Sequence, residues 1–283
     1  MDEVHAYFEA IGSGEWDRFE TVRGRASLEI HRRFLARFVH QGDRVLEIGA
    51  GPGRFTLQLA QLGARVLVTD FSANQLARNR ERVVGAGMQD AVEGYRELDL
   101  RDLTALGDES FDVTLAYGGP LSYVFEDAER CLGELLRVTR RGGVVVASVM
   151  SLLGGYRHLL SAVADIDERL GFAVNDTVLR TGDTRHAAQG GHVCRMFRWS
   201  DLVEMFGRHP CRVVGASASQ WGALGPVETV ERFAADAAWW DRFLDREEAM
   251  CAKPGAIDGG NHILFAIERN GDLGPMPERG RCP

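Results

Sequence analysis

An acidic residue followed by three closely spaced glycines stands in the segment VLEIGAGPGRF, residues 45–55. Glu47 comes near the end of an apolar run, and Gly49, Gly51 and Gly53 follow it. Glycines in a turn between a buried strand and a helix let the backbone approach a bound molecule closely. A carboxylate at this place repels a phosphate and attracts an ammonium group. The segment therefore predicts a site for a ligand with a cationic part.

Two further acids follow later apolar runs. Asp70 ends RVLVTD (65–70), and Asp99 lies in YRELDL (95–100). A carboxylate at the end of a second strand can accept hydrogen bonds from both hydroxyls of a ribose. We expect Asp99 to accept from the amino group of an adenine, so the predicted ligand combines an amino-acid cation, a ribose and an adenine without phosphate. The alternative for each acid is a helix-capping or turn role.

The elements that must position these acids alternate along the chain after residue 40. Short apolar runs predict strands, and segments of helical periodicity between them predict helices. This order indicates right-handed crossovers, a parallel sheet and helices on both of its faces. The predicted strands are 44–48, 65–70, 95–100, 111–117, 144–150, 211–219 and 262–269, and the predicted helices include 55–63, 72–87, 126–140, 198–206 and 228–250.

The ordered motifs of this region resemble the class I S-adenosylmethionine-dependent methyltransferases. The resemblance covers roughly residues 40–150, through VLEIGAGPGRF, VLVTDFS, LDLRDL, FDVTLAYGGPLSYV and ELLRVTRRGGVVVAS. Within that group the chain looks most like the small-molecule branch that includes ubiquinone and menaquinone biosynthesis enzymes. The resemblance implies S-adenosylmethionine as cofactor. It also implies an α/β fold with a doubly wound, mostly parallel seven-stranded sheet in the order 3-2-1-4-5-7-6, the last strand antiparallel.

The resemblance also implies which residues bind the cofactor. Glu47 and the glycine turn hold the methionine part, Asp70 holds the ribose, and Asp99 reads the adenine. The residues after the fourth strand face the sulfonium and its methyl group. The predicted set is Glu47, Gly49, Ala50, Gly51, Gly53, Asp70, Phe71, Ser72, Asp99, Leu100, Tyr117 and Gly118.

A sulfonium methyl group is already activated, so its transfer depends first on alignment of donor and acceptor. A general base helps when the acceptor atom carries a proton. The candidates are Tyr117 and Tyr123, which follow the fourth predicted strand, and the histidines of the later segment, His158, His186 and His192. The alternative for Tyr123 is core packing, and for each histidine it is an exposed surface position.

The chain divides into four predicted parts. Residues 41–150 and 192–270 form the cofactor-binding core, 151–191 an inserted substrate cap, 1–40 an N-terminal helical lid, and 271–283 a flexible tail.

The N-terminal part is rich in aromatic residues, and the resemblance implies that it folds over the donor pocket. Tyr7, Trp16 and Phe19 are candidates for this lid, and Arg18 or Arg23 for a contact to the carboxylate of the donor. The alternative is a helix packed against the edge of the sheet.

The composition of the chain limits the classes of partner that we expect. The formal net charge of −8 and pI of about 5.5 disfavour nucleic acid and anionic membranes, which attract basic surfaces. The chain begins without a signal-peptide pattern, and its longest apolar run (144–153) is too short to span a bilayer, so we expect a cytoplasmic protein. The five cysteines form no C-x-x-C pair, and no metal site is expected.

These observations predict methyl transfer to a small-molecule metabolite, in secondary metabolism, with the acceptor and the oligomeric state left open. One alternative is an NAD-dependent oxidoreductase, although Glu47 and the spacing G-x-G-x-G differ from the usual dinucleotide pattern. The other is a protein that binds the donor without transferring the methyl group. An acceptor pocket filled by side chains of the cap would support that second alternative.

Overall fold

A computed structural model describes residues 3–10, 14–187 and 192–270. One seven-stranded sheet has the order β3-β2-β1-β4-β5-β7-β6. Strands β1 to β5 pair in parallel, and β7 runs antiparallel to β5 and β6. The predicted fold class is thereby confirmed. The strands are β1 (Arg44–Ile48), β2 (Arg65–Asp70), β3 (Val92–Glu97), β4 (Phe111–Ala116), β5 (Thr139–Met150), β6 (Cys211–Ala218) and β7 (His262–Arg269).

Helices cover both faces of the sheet and precede or follow its strands. They are α1 (Glu3–Ala10), α2 (Gly14–Asp17), α3 (Val22–Leu35), α4 (Arg54–Gln61), α5 (Ala73–Gly85), α6 (Ala128–Val138), α7 (Leu152–His158), α8 (Leu160–Leu170), α9 (Phe172–Thr181), α10 (Trp199–Phe206), α11 (Val227–Ala234) and α12 (Ala237–Cys251). Short 3-10 turns occur at Gln89–Ala91, Pro120–Ser122, Phe125–Asp127, Thr184–His186, Gly222–Leu224 and Ile257–Gly259.

Two apolar clusters, one on each face of the sheet, form the core. Consecutive residues of a strand point to opposite faces, so Val45 and Leu46 join different clusters, as do Leu264 and Phe265. The central strands are therefore apolar at nearly every position, as strands covered on both faces are. Burial of these side chains holds the carboxyl ends of β1, β2 and β4 together at the same edge of the sheet.

Two predicted boundaries were wrong in ways that matter for the site. Strand β3 spans Val92–Glu97 because its register pairs Glu97 with Asp70, so Asp99 lies in the loop after the strand and not at its end. The helix predicted over 228–250 is broken at Ala235 and Asp236. Asp236 is extended, and its carboxylate accepts the backbone N–H of Trp239 at 2.9 Å, which ends one helix and begins the next.

The predicted cap and lid occupy defined places. Helices α7, α8 and α9 follow β5 directly, and α7 packs its backbone against the loop before β7, where a Cβ on Gly154 would lie 1.7 Å from the Gly260 carbonyl oxygen. Residues 1–2 and 11–13 of the predicted lid, 188–191 of the cap and the whole tail 271–283 lie outside the described residues. No described helix combines the length and apolar content needed to cross a bilayer.

Candidate functional site

The turn after β1 is built from glycines in the left-handed region. Gly49 has a φ of +65°, and a Cβ there would lie 2.8 Å from Cγ of Pro120. Gly51 has a φ of +51° and no atom within 4 Å of the place a Cβ would take. A side chain at Gly49 would thus meet both backbone strain and a steric clash. The turn presents bare backbone toward the carboxyl ends of the strands.

Asp70, the last residue of β2, fixes this turn. Its carboxylate accepts the backbone N–H groups of Gly51 and Ser72, each at 2.8 Å, and the residue is only 4% exposed. Burial raises the pKa of Asp70 to about 6, while the two backbone hydrogen bonds act in the opposite direction. Each carboxylate oxygen retains capacity for another donor. Asp70 can therefore brace the turn and still accept hydroxyl groups of a ligand.

The turn and the ends of β1, β2 and β4 line one cavity, called the first cavity below. It encloses about 940 Å³ of empty space when counted out to its open mouth. Apolar side chains form most of its wall, and Asp70 contributes a buried carboxylate. The structure brings together here most of the predicted cofactor residues, namely Gly49, Ala50, Gly51, Asp70, Phe71, Asp99, Leu100, Tyr117 and Gly118.

Three predicted residues do not line the first cavity. Glu47 is 2% exposed and lies beneath the turn, where its Oε2 accepts the hydroxyl of Thr56 at 2.6 Å. Burial raises the pKa of Glu47 to about 8. Gly53 packs against Asn79, which donates to the Thr56 hydroxyl at 2.8 Å. Ser72 caps α5, and its hydroxyl accepts the N–H of Gln75.

Because Ser72 caps a helix, we expect Ser72→Ala to lower the free energy of unfolding by about 1 kcal/mol. The affinity for S-adenosylhomocysteine should change little. Urea denaturation measures the first quantity and calorimetry the second. Ser200→Ala, at an exposed position of α10, is the matched control and should be close to neutral. A large loss of affinity without loss of stability would instead place the Ser72 hydroxyl in the binding site.

Asp99 reaches the first cavity with its carboxylate already paired. Oδ2 lies 2.7 Å from Nη2 of Arg101, and the backbone N–H of Arg101 donates to Oδ1 at 2.8 Å. Partial burial alone would raise the pKa of Asp99, but the Arg101 guanidinium outweighs it and holds the pKa below its usual value. Any hydrogen bond from an adenine to this carboxylate is therefore shared with Arg101.

Comparison with known proteins places this site in a family. The methyltransferase domain family matches residues 46–147. The chain is 39% identical over 133 residues to a phosphatidylethanolamine N-methyltransferase of Cereibacter sphaeroides, covering 46% of this chain and 62% of that protein. It is 32% identical over 179 residues to a demethylmenaquinone methyltransferase of Thermobifida fusca, covering 61% of this chain and 68% of that protein. The chain belongs to the class I S-adenosylmethionine-dependent methyltransferases.

The fold of this methyltransferase agrees with that assignment. The solved structure of the CcbJ methyltransferase from Streptomyces caelestis superposes with a TM-score of 0.60 at 16% identity, over 96% of this chain and 100% of that one. The chain spans 62%, 66% and 50% of the length of the first three curated relatives it matches. The predicted family resemblance is confirmed, and with it S-adenosylmethionine as the cofactor.

Helix α1 closes one side of the first cavity of the methyltransferase. Gln75 donates from Nε2 to the Phe8 carbonyl oxygen at 3.1 Å, and Nε2 of His5 lies 3.2 Å from the Phe71 carbonyl oxygen. The rings of His5 and Phe8 pack on the Phe71 ring, with centroids 5.2 and 5.9 Å apart. The sequence interpretation missed His5, Phe8 and Gln75; the aromatic pattern of residues 5–8 was the available signal.

Unpaired polar atoms show that the first cavity fits the cofactor. Nδ1 of His5 and Oε1 of Gln75 are buried without a hydrogen-bond partner among the described residues, and both side chains line the cavity. Buried polar groups without partners are costly, so these atoms fit a ligand with donors and acceptors of its own. Together with the Asp70 carboxylate and the walls formed by Phe71 and Leu100, they match a nucleoside.

Arg18 marks the other end of the first cavity. Its guanidinium lies 4.3 Å from the ring centroid of Phe19, and its Nε lies 2.9 Å from the carboxylate of Glu15. Its Nη2 lies 3.6 Å from the place that a Cβ on Gly118 would take. Arg18 and Phe19, both predicted for the lid region, therefore line the cavity beside the end of β4.

The other predicted lid residues lie elsewhere. The ring of Trp16 contacts the guanidinium groups of Arg54 and Arg82, at 3.5 and 4.2 Å from its centroid. Tyr7 packs on the ring of His192, with centroids 5.0 Å apart. Neither Trp16 nor Tyr7 lines the first cavity. They hold the N-terminal segment in place over the core.

The candidates for a general base lie in different parts of the structure. Tyr117 lines the first cavity with its ring, but its hydroxyl lies 3.4 Å from the His31 carbonyl oxygen, and burial raises its pKa well above the ordinary value. Tyr123 lines the cavity too, and its hydroxyl lies 2.8 Å from Nε2 of His192. Packing among aromatic rings lowers the pKa of His192 through desolvation. His186 is exposed in its 3-10 turn.

A second cavity adjoins the first and shares Arg18 and Phe19 with it. It lies among α3, α11, the end of α7 and the start of β7, and encloses about 1250 Å³ counted to its mouth. Its further lining residues are Thr21, Val22, Arg23, Gly24, Ser27, His158, Gln220, Val227, Glu231, Asn261 and His262. Of the predicted cap, residues 151–191, only His158 lines it. The sequence interpretation missed His262 because it read this residue only as the start of a strand.

The described histidines, cysteines and acids were compared with the ligand sets of metal sites. No group of three or more His, Cys, Asp or Glu side chains among the described residues could hold a metal ion. Cys131, Cys194, Cys211 and Cys251 are free thiols, and Cys282 lies outside the described residues.

Proposed function

We propose that the protein transfers a methyl group from S-adenosylmethionine to a small-molecule acceptor, as a cytoplasmic enzyme of secondary metabolism. The observation that carries the proposal is the pair of adjoining cavities that meet at Arg18 and Phe19. One has the polar and apolar groups of a nucleoside site, and the other is open for an acceptor. The free thiols of the described cysteines support a cytoplasmic location. The acidic net charge argues against nucleic acid as the acceptor.

The residues of the first cavity would hold the cofactor, which supplies an activated methyl group when bound. Asp70 accepts hydroxyl groups of a ribose, and Arg18 binds a carboxylate at the far end. Glu47 lies under the turn with its pKa raised to about 8 by burial, and an ammonium group bound above it would favour the ionised form of this carboxyl. Helix α1 covers the adenine side and excludes water. Positioning of this kind contributes about 7–11 kcal/mol to lowering a barrier.

The curated relatives support a small acceptor. They include a phosphatidylethanolamine N-methyltransferase and a demethylmenaquinone methyltransferase, whose names state lipid and quinone acceptors. The open second cavity also favours catalysis over donor binding alone, because the cap does not fill it.

Two measurements test the proposal. Calorimetry of the purified protein should show one site for S-adenosylhomocysteine and no binding of NAD; binding of NAD alone would overturn the assignment. Incubation with methyl-labelled S-adenosylmethionine and a cell extract should place the label in the low-mass fraction. Label found only in protein or nucleic acid would contradict a small-molecule acceptor.

A further inference from the structure

His262 is a largely buried histidine in the wall of the second cavity. The residue is 8% exposed and lines the cavity wall. Its backbone N–H donates to the hydroxyl of Ser219 at 3.0 Å, but its imidazole has no hydrogen-bond partner among the described residues. Neither ring nitrogen is among the fully buried side-chain atoms of the described residues that lack a partner, so the imidazole is open to a molecule in the cavity.

A chain of rings connects His262 to the first cavity. The His262 ring centroid lies 6.1 Å from that of His31, and the His31 centroid lies 4.8 Å from that of Tyr117. Tyr117 and the neighbouring Gly118 line the first cavity at the end of β4, where the methyl group is expected. Nδ1 of His31 lies 2.8 Å from the Ser27 carbonyl oxygen. Of these three rings, that of His262 belongs to a residue lining the second cavity.

The surroundings keep His262 neutral. Desolvation lowers its pKa well below the ordinary value, and the nearby charge of Arg18 and the rings of His31 and His192 act in the same direction. The neutral imidazole can accept a proton, although burial and Arg18 disfavour its charged form, so the negative charge of the bound acceptor must offset this penalty. The remaining titratable side chains of this cavity are Arg23, His158 and Glu231.

Arg23 brings a positive charge to the same cavity, whose lining also includes Glu231. Its Nη2 donates to the Gly225 carbonyl oxygen at 2.6 Å, while its Nε is buried without a partner. No carboxylate of the described residues forms an ion pair with it. Oδ1 of Asn261, another lining residue, is also buried without a donor. Phe19, Val22 and Val227 form apolar parts of the wall, which suits the body of a ring.

We propose that the second cavity binds a small acceptor with an anionic group and a hydroxyl, that Arg23 binds the anion, and that His262 takes the proton of the attacking hydroxyl. This inference rests on the proposed function. The acceptor oxygen bonds to the methyl carbon as the carbon–sulfur bond breaks, and the electron pair stays on sulfur. The hydroxyl proton passes to His262, which later releases it to solvent, while Arg23 keeps its charge.

Hydroxybenzoates test the proposal, because they carry the ring, the carboxylate and the hydroxyl. Binding of 3- and 4-hydroxybenzoate to the protein saturated with S-adenosylhomocysteine is compared with that of benzoate and phenol. At least one hydroxybenzoate should bind at least 10 times more tightly than phenol, and Arg23→Gln should abolish that difference. Failure of both hydroxybenzoates to bind, or equal binding of phenol, overturns the proposed acceptor class.

The role of His262 has its own readout. With S-adenosylmethionine and the hydroxybenzoate that binds, His262→Gln should lower kcat about 100-fold or more with little change in KM, and should remove the acid limb of the pH profile. His40→Gln, at an exposed position before β1, is the matched control. His192→Gln tests the other candidate base. If that variant loses kcat while His262→Gln retains it, the proposal is wrong.

Donor binding separates this inference from the proposed function. Calorimetry with S-adenosylhomocysteine should give the same affinity for wild type, Arg23→Gln and His262→Gln. If the wild-type protein does not bind S-adenosylhomocysteine, the proposed function itself is contradicted. Normal donor binding with an unaffected kcat in His262→Gln would overturn only the role of His262.

Discussion

The Asp70→Ala variant is expected to bind S-adenosylhomocysteine about 1–3 kcal/mol more weakly than wild type, which is roughly a 5- to 150-fold higher dissociation constant. The variant loses the acceptor for the ribose hydroxyls. It also loses the two hydrogen bonds, of 2.8 Å each, that join the turn after β1 to the end of β2. Isothermal titration calorimetry measures the effect, with Asp90→Ala at an exposed position as the control. An unchanged dissociation constant would remove Asp70 from the site.

The pH dependence of S-adenosylhomocysteine binding is a second test of the role of Asp70. The pKa of Asp70 is raised to about 6, and the ionised carboxylate is the stronger acceptor. Affinity in the wild type should therefore fall as the pH is lowered from 7 to 5. In Asp70→Asn, which cannot ionise, this part of the dependence should be absent. Parallel pH curves for the two proteins would contradict a role for the Asp70 charge.

The Glu47→Gln variant is expected to change how stability depends on pH. The folded protein raises the pKa of Glu47 from 4.5 to about 8 because the carboxyl is buried. Below pH 4.5 both folded and unfolded states are protonated. Between pH 4.5 and 8 the unfolded state ionises while the folded state does not, so stability falls as the pH rises. At about 1.4 kcal/mol per pKa unit, the loss reaches at most ~5 kcal/mol.

Denaturant unfolding of the ligand-free protein at several pH values measures this effect. Glu47→Gln should be increasingly more stable than wild type from pH 4.5 to 8. The comparison of the two proteins is needed because the buried His31, whose pKa is lowered to about 4 by burial, makes stability rise with pH in part of the same range. Glu97→Gln, at an exposed position of β3, should follow the wild-type curve. A constant difference between Glu47→Gln and wild type would show that Glu47 is already ionised in the fold.

Local sequence patterns were sufficient for the sheet and for much of the first cavity. The order of strands and helices followed from apolar runs and their spacing. Glycines at 49 and 51 adopt the positive φ values that their positions in a strand–helix turn suggested. Asp70 ends β2, as its place at the end of RVLVTD predicted. These features depend on residues close together in the chain, and short-range sterics and hydrogen bonding decide them.

Pairing between distant segments decided where other predicted residues lie. The register of β3 against β2 moved Asp99 beyond the strand, and Arg101 then took its carboxylate. Packing of α4 over β1 placed Thr56 beside Glu47, so that this acid lies under the turn and not at the cavity surface. Neither the register of β3 nor the contact between Thr56 and Glu47 has a signal in the local pattern, whereas Arg101 lies only two residues after Asp99.

The sequence by itself determined the layered α/β fold, the glycine turn with its acid and the family to which the chain belongs. Only the tertiary structure decided the second cavity, because Arg23 lies far along the chain from the adjacent residues Asn261 and His262, and they meet where α3 packs near the start of β7. It also decided which polar groups remain unpaired. Burial and desolvation act on the folded surface as a whole, and a linear pattern does not contain them.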